Sequence, residues 1–245
     1  MKFGVIVIGD EILSGRRQDR HLAQVITTLT QRGLGVAWCR VLGDDPEILT
    51  ANLRQTLTEE GGVFSFGGIG PTPDDITRQC VAAATGQPLV RHPEAVALLE
   101  GLFGESAYPL RIRMAELPSG SRIIPNSVNG IPAFSYAHHH FLPGFPSLAW
   151  PMLDWLLDNE YSKLWAKPSV QRIVVVLDIY ESELIPLMES AIAHYPLLRF
   201  SSLPSNTPGL RRIELGVAGI AEQADQGINF LIAGLKEMGI NYTYP

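Results

Sequence analysis

The N-terminal part of the chain alternates between continuous apolar runs and amphipathic stretches with helical spacing. The run FGVIVI, residues 3–8, is apolar throughout, which is typical of a strand buried on both faces of a sheet. The same alternation predicts further strands at residues 36–42 and 63–66 and helices at residues 20–32, 46–60 and 74–84. Three successive strand–loop–helix units predict a parallel sheet with right-handed crossovers.

The middle of the chain is less regular. Residues 93–118 have a helical pattern, and residues 121–142 contain short strands interrupted by proline and glycine. The sequence LPGFP, residues 142–146, leads into a tryptophan-rich amphipathic helix that ends near Tyr161. Residues 163–169, which include a proline, are the best candidate for a linker between two domains.

A new order of elements follows this linker. The pattern predicts strands at residues 171–179, 198–203, 211–218 and 240–244 and helices at residues 181–195 and 221–237. The resulting order, βαββαβ, is that of ferredoxin-like folds. The chain is therefore predicted to be an α/β protein, with a three-layer parallel-sheet domain at residues 1–165 and a smaller ferredoxin-like subdomain at residues 170–245.

Composition and charge narrow the classes of function. The chain has 245 residues and a formal net charge of −6, whereas a nucleic-acid-binding surface needs a basic face. No stretch approaches the ~20 apolar residues of a membrane span, and no cleavable leader is apparent because the first apolar run leads directly into Asp10 and Glu11. Two distant cysteines exclude a disulfide framework and suit a reducing compartment. We therefore expect a cytoplasmic protein with a small-molecule partner and no contact with nucleic acid or membrane.

Polar clusters follow each of the first three predicted strands. These clusters are GDEILSGRRQDRH at residues 9–21, GDD at residues 43–45 and GGIGPTPDDITR at residues 67–78. Ligands of open parallel sheets bind outside the carboxyl ends of the strands, which is where all three clusters are predicted to lie. At least six carboxylates and a glycine-rich segment should therefore meet at one edge of the sheet.

The glycine-rich segment, residues 67–75 (the glycine loop), has the composition of an anion-binding loop. Gly67, Gly68 and Gly70 allow backbone N–H groups to approach a ligand, and the following helix adds the positive end of its dipole. Thr72 can donate a hydroxyl, and Pro71 restricts the backbone. Glycine is also common in purely structural turns. Three glycines, two prolines and two aspartates within nine residues favour binding.

Several carboxylates beside a phosphate would repel it, so they require a partner. Asp74 or Asp75 could simply cap the following helix, or a divalent cation such as Mg²⁺ could bridge carboxylates to phosphate oxygens. We expect one aspartate of this pair to cap and another carboxylate to bind the metal. Asp44 and Asp75 are the candidate metal ligands, and the candidate catalytic residues are Asp44, Asp74 and Asp75.

Arginine supplies the positive charge for phosphate contact. Arg16, Arg17 and Arg20 lie in the first polar cluster, where they either bind phosphate or form a solvated basic face. The residues expected to contact the ligand are Gly9, Asp10, Glu11, Ser14, Arg16, Asp19, His21, Gly67, Gly68, Gly70, Pro71, Thr72, Pro143 and Gly144.

The motifs GDEILSG, LGDD, GGIGPTPDDITR and LPGFP resemble those of the molybdopterin-binding domain family, which includes MoaB/Mog-like proteins. They are most similar to the N-terminal domain of the competence/damage-inducible protein A (CinA) group and its short relatives. The resemblance covers residues 3–165 well and extends more loosely into the C-terminal part, which looks like that group's smaller subdomain. It implies a fold shared with adenylyl-transferring and molybdate-inserting enzymes, and some relatives resemble metal-dependent pyrophosphatases that cleave ADP-ribose or FAD.

Three features depart from that group. His21 stands where long members usually have asparagine, and Leu148 stands where a glutamate commonly follows the LPGxP motif. Long members also carry a C-terminal amidase domain, which has no counterpart in this sequence. The expected ligand is molybdopterin or a nucleotide bound with Mg²⁺ or another divalent metal. The protein could act on a phosphoanhydride, which the retained acids favour, or serve as a non-catalytic carrier or sensor, which Leu148 favours.

Two further expectations concern the middle of the chain. The helix at residues 146–158 has more apolar side chains than one buried face requires, which predicts a homo-oligomer, either a dimer or a trimer. The run His138 to His140 lies on a predicted strand, where neighbouring side chains point to opposite faces. These histidines therefore cannot all bind one metal ion, and a structural role is expected.

Overall fold

The computed structural model describes residues 2–205 and 211–245, which divide into two compact units. The first unit contains residues 2–30 and 34–165, and the second contains residues 31–33 and the described part of 166–245. Within these described ranges, no helix is long and apolar enough to cross a membrane.

The first unit contains eight strands and six helices among its described residues. The strands are β1 (Phe3–Ile8), β2 (Val36–Leu42), β3 (Gly62–Phe66), β4 (Leu89–Arg91), β5 (Glu116–Pro118), β6 (Arg122–Ile124), β7 (Ala133–Tyr136) and β8 (His139–Leu142). The helices are α1 (Asp10–Leu13), α2 (His21–Gln31), α3 (Pro46–Thr56), α4 (Thr77–Thr85), α5 (Pro93–Phe103) and α6 (Pro146–Asn159). Short 3₁₀ turns occur at Gly104–Ala107, Arg111–Ala115 and Ser162–Leu164.

The main sheet has six strands in the order β2-β1-β3-β8-β7-β6. The first four strands of this order are parallel, and β7 and β6 add an antiparallel edge. Alternate residues of β1 enter different cores: Val5 packs with α2 and α6, and Ile6 packs with α3, α4 and α5. The sheet therefore lies between two helical layers, which confirms the predicted three-layer α/β fold.

Two predicted helix boundaries were wrong. Helix α4 begins at Thr77 rather than at the aspartate pair, and no side chain caps its first turn. The predicted helix at residues 93–118 contains only α5, because Gly104 ends α5 with a positive φ of 54° and 3₁₀ turns follow. Both boundaries depend on local loop geometry, which hydrophobic periodicity does not report.

The second unit has an antiparallel sheet separate from the first. Its elements are β9 (Ser169–Leu177), α7 (Glu181–His194), β10 (Arg199–Pro204), β11 (Arg212–Ile220), α8 (Ala221–Glu237) and β12 (Tyr242–Thr243). The strands lie in the order β10-β11-β9-β12. Apolar residues of both helices and of the sheet form one core, including Leu184, Leu215 and Leu231. The ferredoxin-like βαββαβ arrangement is thus confirmed, while the exact domain limits, 1–165 and 170–245, stay a prediction.

Helix α6 buries most of its apolar side chains in its own unit. Met152, Leu153 and Leu156 are each no more than 1% exposed, whereas Trp155 is 36% exposed. Trp150 is half-buried, and the guanidinium of Arg20 lies 5.5 Å from the centre of its ring. The apolar character of α6 is therefore explained largely within the unit, and oligomer formation stays a prediction.

Strand β8 carries two fully buried histidines on opposite sides of the sheet. The imidazole of His139 bonds the Thr56 hydroxyl through Nε2 at 2.9 Å. The imidazole of His140 lies between the Ser135 and Tyr161 hydroxyls at 2.7 and 2.6 Å. Burial lowers the pKa of each histidine to about 3. Both side chains are therefore neutral parts of the core, as the strand geometry predicted.

Candidate functional site

A cavity of about 620 Å³ lies at the carboxyl ends of the parallel strands. Gly9 follows β1, Asp44 belongs to the loop after β2, and Gly67 follows β3. Pro143 follows β8 and lines the same cavity. The structure thus brings together the three polar clusters that the sequence placed at this edge, together with the loop after β8 that carries the predicted residues Pro143 and Gly144.

The glycine loop is held closely against the sheet and against α4. Gly67 has a φ of +110°, and a Cβ at this position would collide with the carbonyl oxygen of Ile8. The Thr77 hydroxyl donates to the Gly67 carbonyl at 3.0 Å, and the Thr77 amide donates to the Gly68 carbonyl at 3.0 Å. The Gly67 amide donates to Leu142 at 3.0 Å. The first turn of α4 and strand β8 therefore fix the start of the loop.

Asp75 organises the second half of the glycine loop instead of capping a helix. Its Oδ2 accepts from the Thr72 amide at 3.0 Å and also from the Thr72 hydroxyl. The Asp75 amide donates back to the Thr72 carbonyl at 3.0 Å, which closes a tight turn. Asp74, its neighbour, is exposed. The expectation that one of the pair caps α4 was therefore wrong, because the carboxylate of Asp75 is engaged within the loop and α4 starts later.

The loops after β1 and β2 are cross-linked by two aspartates. The Asp10 amide donates to Asp44 Oδ2 at 3.0 Å, and the Asp44 amide donates to Asp10 Oδ1 at 3.1 Å. Burial raises the pKa of Asp44, and the negative charges of Asp10, Glu11 and Asp74 raise it further against the hydrogen bond from Asp10. A cation bound here would relieve this crowding of negative charge.

Two other aspartates cap helices. Asp45 accepts from the amides of Glu47 and Ile48, each at 2.9 Å, at the start of α3. Asp19 accepts from the amides of His21 and Leu22 at 2.8 and 3.1 Å at the start of α2. Asp45 and Asp19 thus cap α3 and α2, whereas α4, which the 74–75 pair was expected to cap, has no side-chain cap. Asp45 is occupied as a cap, whereas Asp44 remains on the cavity wall.

His21 lies outside the cavity lining and contacts a residue of the cavity wall. It is buried, its ring stacks on Phe66 at 4.3 Å, and its Nε2 lies 3.1 Å from the Gly144 carbonyl oxygen. Because a carbonyl only accepts, Nε2 carries the proton and donates. Burial lowers the pKa of His21, so the neutral ring is favoured. His21 therefore fixes Gly144 and does not itself line the cavity.

The predicted site residues, which comprise the ligand-binding, catalytic and metal candidates, divide into two groups. Those that line the cavity are Gly9, Glu11, Asp44, Gly67, Gly68, Gly70, Pro71, Thr72, Asp74, Asp75, Pro143 and Gly144. Those that lie outside the lining are Asp10, Ser14, Arg16, Asp19 and His21. Arg16, the arginine predicted to contact the ligand, is exposed, and Arg17 lines the cavity instead. Arg20 is stacked on Trp150.

Apart from Leu148, which the LPGxP motif had singled out, sequence reasoning missed a second wall, formed by residues from the end of α5 to the first turn of α6. Its members are Phe103, Arg111, Met114, Asn126, Asn129, Ile131, Pro132, Phe145 and Leu148. The Arg111 guanidinium stacks 4.8 Å from the Phe103 ring centre and donates to the Ser106 carbonyl at 2.7 Å. The polar turn NSVNG gave a weak signal for the two asparagines. The apolar members resemble ordinary core residues in sequence.

The donor set of the cavity suits a hard cation. Glu11, Asp44, Asp74 and Asp75 all line it, and carboxylate oxygens are the ligands that Mg²⁺ prefers. Among the described residues, no three histidine, cysteine, aspartate or glutamate side chains are arranged as a complete metal site. The arrangement therefore fits a Mg²⁺ ion held by one or two carboxylates, by water and by a phosphate of the ligand.

Comparison with known proteins identifies a family and several individual proteins to which this chain is similar. Residues 4–163 match the family described as a probable molybdopterin binding domain. A CinA-like protein of Syntrophotalea carbinolica is 29% identical over 209 residues, which make up 80% of this chain and 49% of that protein. A protein of Pyrobaculum arsenaticum is 27% identical over 239 residues, which make up 91% of this chain and 89% of that protein.

The fold is also that of a solved structure. CinA from Thermoplasma acidophilum, whose function is described as unknown, has a TM-score of 0.59 and is 31% identical. The match covers 64% of this chain and 96% of that one. The chain spans about half or less of the CinA-like proteins it matches, 49% and 39% in two cases.

Proposed function

The chain belongs to the family of probable molybdopterin-binding domains, and from this we propose that its cavity binds a phosphorylated pterin or nucleotide together with a divalent metal ion. Membership confirms the resemblance seen in the motifs. The observation that carries the proposal is that a rigid glycine loop and four carboxylates line one cavity. The loop suits phosphate, and the carboxylates suit the cation that would accompany it.

The phosphate group would be bound by the glycine loop and by arginine. The Gly67 amide already donates to Leu142, so the amides of Gly68 and Gly70 would bind the phosphate, and Arg17 and Arg111 add guanidinium groups to the lining. These cations favour a ligand with negative charge. In this proposal, the glycine loop holds one phosphate and the arginines balance the remaining charge.

The metal would lie between the loop after β2 and the glycine loop. Asp44 has a raised pKa, and one oxygen of Asp75, Oδ1, has no hydrogen bond among the described residues. Both are therefore suited to a cation, and exposed Asp74 adds negative charge near Asp44. A bound Mg²⁺ ion would spread the charge of a phosphoanhydride and orient it. The residues of this chain would hold the ion and fix the phosphate.

The second wall has the character of a site for a flat heterocycle. Phe103, Met114 and Ile131 supply apolar contacts, and the stacked Arg111 supplies a planar surface. Asn129 Oδ1 accepts from the Ile131 amide at 3.0 Å, so the amide orientation is fixed and its N–H groups can reach a ligand. The cavity volume lies within the ~300–1,000 Å³ typical of small-molecule sites.

Two outcomes of binding are open to this site. The acids and the metal suit adenylyl transfer or hydrolysis of a nucleotide pyrophosphate such as ADP-ribose or FAD. Leu148, an apolar residue on the cavity wall, favours the alternative of a carrier or sensor that binds without reaction. An apolar side chain cannot accept a proton or bind a metal ion, so the acids already named must supply any such step.

The test is titration calorimetry of the purified protein with ATP, FAD and ADP-ribose in Mg²⁺ and in EDTA, followed by chromatography of the incubated mixtures. Binding that requires Mg²⁺ supports the proposal, and new products identify an enzyme rather than a carrier. The proposal would be contradicted if the protein bound none of the three compounds and if mass spectrometry of the purified protein identified no pterin or nucleotide.

Replacing Asp44 with asparagine should lower the affinity for ATP in Mg²⁺ at least fivefold. The asparagine oxygen can still accept from the Asp10 amide, so the loops stay linked while the charge is removed. Because the pKa of Asp44 is raised, protonation should weaken Mg²⁺-dependent binding by the wild type at a higher pH than for an ordinary aspartate. Calorimetry between pH 7.5 and pH 5 should show this loss for the wild type and a flatter profile for Asp44→Asn.

A further inference from the structure

Arg78 joins the two walls of the cavity. It lies in the first turn of α4 and is only 4% exposed. Its Nη2 donates to the Gly70 carbonyl, in the glycine loop, at 2.7 Å. Its Nη1 donates to the Arg113 carbonyl, in the 3₁₀ turn Arg111–Ala115 that supplies Arg111 to the second wall. One guanidinium therefore connects the phosphate side of the cavity to the opposite side.

Burying Arg78 in this way lowers the stability of the fold, which would be unexpected if the residue only filled space in the core. Arg78 makes no ion pair within the described residues, and its Nε has no hydrogen-bond partner there. Burial lowers the pKa of Arg78, which the more distant charges of Asp75 and Glu116 only partly oppose. A buried cation that lacks a direct counter-ion is destabilising, and an apolar residue of similar size would avoid this cost.

We infer that Arg78 is a positioning residue, which fixes the glycine loop at the spacing from the Arg111 turn that a bound phosphorylated ligand needs. The inference rests on the proposed function, since it assumes that the ligand contacts both walls. The contacts go to two backbone carbonyls rather than to side chains, so they set the positions of the main chain on each wall. Arg78 itself does not line the cavity and acts through these two segments.

The geometry requires arginine. A guanidinium presents several donors in a rigid planar fork, so it can bond two carbonyls in different directions at once. A lysine carries the same charge on a single nitrogen at the end of a flexible stem. Lysine at this position would therefore keep the positive charge behind the loop and lose the fixed spacing between the walls. The two effects, charge and spacing, can thus be separated by substitution.

The experiment compares Arg78→Lys and Arg78→Gln with Arg54→Gln, in which an exposed arginine on α3 loses its charge. Affinity for ATP in Mg²⁺ is measured by calorimetry at a temperature at which circular dichroism shows every variant to be folded. We expect both Arg78 variants to bind at least tenfold more weakly and Arg54→Gln to stay within twofold of wild type. Wild-type affinity in Arg78→Lys would overturn the inference.

Hydrogen exchange of the wild type provides a second test, which remains possible even if the Arg78 variants do not fold. Addition of ATP and Mg²⁺ should slow exchange in both the glycine loop and the Arg111–Ala115 turn, because the inference requires the ligand to contact both of the segments that Arg78 links. Protection of the loop without protection of the turn would refute the inference while leaving the proposed function intact. If the wild type binds none of ATP, FAD and ADP-ribose, the result contradicts the proposed function, and the inference about Arg78 is then also wrong.

Discussion

Asp75→Asn should lower the affinity for ATP in the presence of Mg²⁺ at least tenfold, whereas Asp74→Asn should change it less than twofold. Both substitutions keep the size of the side chain and remove one negative charge. Asp75 is half-buried on the cavity wall, and Asp74 is exposed. A tenfold loss corresponds to about 1.4 kcal/mol, a modest value for removing one charged ligand of a metal ion.

The difference follows from the turn that Asp75 closes. Its Oδ2 is fixed by two donors of Thr72, which holds the carboxylate in one orientation against Gly70. A Cβ added at Gly70 would lie 2.5 Å from this oxygen, so the loop is built closely around the acid. The second oxygen of Asp75 is therefore preorganised to bind a cation, whereas Asp74 is exposed, and a hydrogen bond from the Thr72 hydroxyl, which it shares with Asp75, lowers its pKa.

The measurement is a calorimetric titration of the wild type and both variants with ATP, in Mg²⁺ and again in EDTA. The wild type should bind much more weakly in EDTA, and Asp75→Asn should lose most of this metal dependence. Asp74→Asn serves as the matched control for removal of a charge from the same loop. Equal affinity in Mg²⁺ and EDTA, or two variants that both behave as wild type, would show that these carboxylates are structural.

The first unit should become markedly less stable as the pH falls from 7 to 5. His139 and His140 are neutral in the folded protein because burial lowers their pKa to about 3, whereas in the unfolded chain each titrates near 6.5. The unfolded state therefore binds more protons below pH 6.5. The stabilisation that these residues contribute is fully present above about pH 6.5 and is lost progressively as the pH falls towards 3.

The expected magnitude is large for a single domain. Each buried histidine should cost roughly 2 kcal/mol of the free energy of unfolding between pH 6.5 and pH 5, since one proton contributes about 1.4 kcal/mol per pH unit. All four tryptophans lie in the first unit, so urea unfolding followed by tryptophan fluorescence reports this unit specifically.

Substitution of single histidines tests which of them cause the loss of stability at low pH. His139→Gln and His140→Gln should each reduce the pH dependence of the free energy of unfolding by nearly one proton in this range. His138→Gln, at a half-buried neighbouring position, is the matched control for the loss of an imidazole from this part of the chain. A wild-type free energy of unfolding that is constant between pH 7 and pH 5 would mean that neither buried histidine controls acid stability.

The order of the elements and the general position of the site followed from the sequence. The apolar run of β1 predicted a strand buried on both faces, and the βαββαβ order predicted the fold of the second unit. Because the carboxyl ends of parallel strands share one edge, the polar clusters after β1, β2 and β3 had to meet there. These features depend on periodicity and on chain direction, which are properties of local sequence.

The roles of individual acids depended on tertiary structure. Asp44 and Asp45 are adjacent in sequence, yet one faces the cavity and the other caps α3. Asp75 was expected to cap or to bind metal, and it closes a turn of its own loop. A carboxylate bonds whichever N–H groups the backbone leaves unsatisfied beside it, and the position of a helix start within two or three residues decides which groups those are.

The second wall also depended on tertiary structure. Phe103, Arg111 and Asn129 come from different segments, and nothing in the spacing of these residues links them to the glycine loop. His21 lies in a motif beside the site, but the fold turns its ring against Phe66 and away from the cavity. Sequence patterns report which residues share a face of one element. Contacts between distant segments arise only when the elements pack, so this wall and the bridge made by Arg78 required the folded structure.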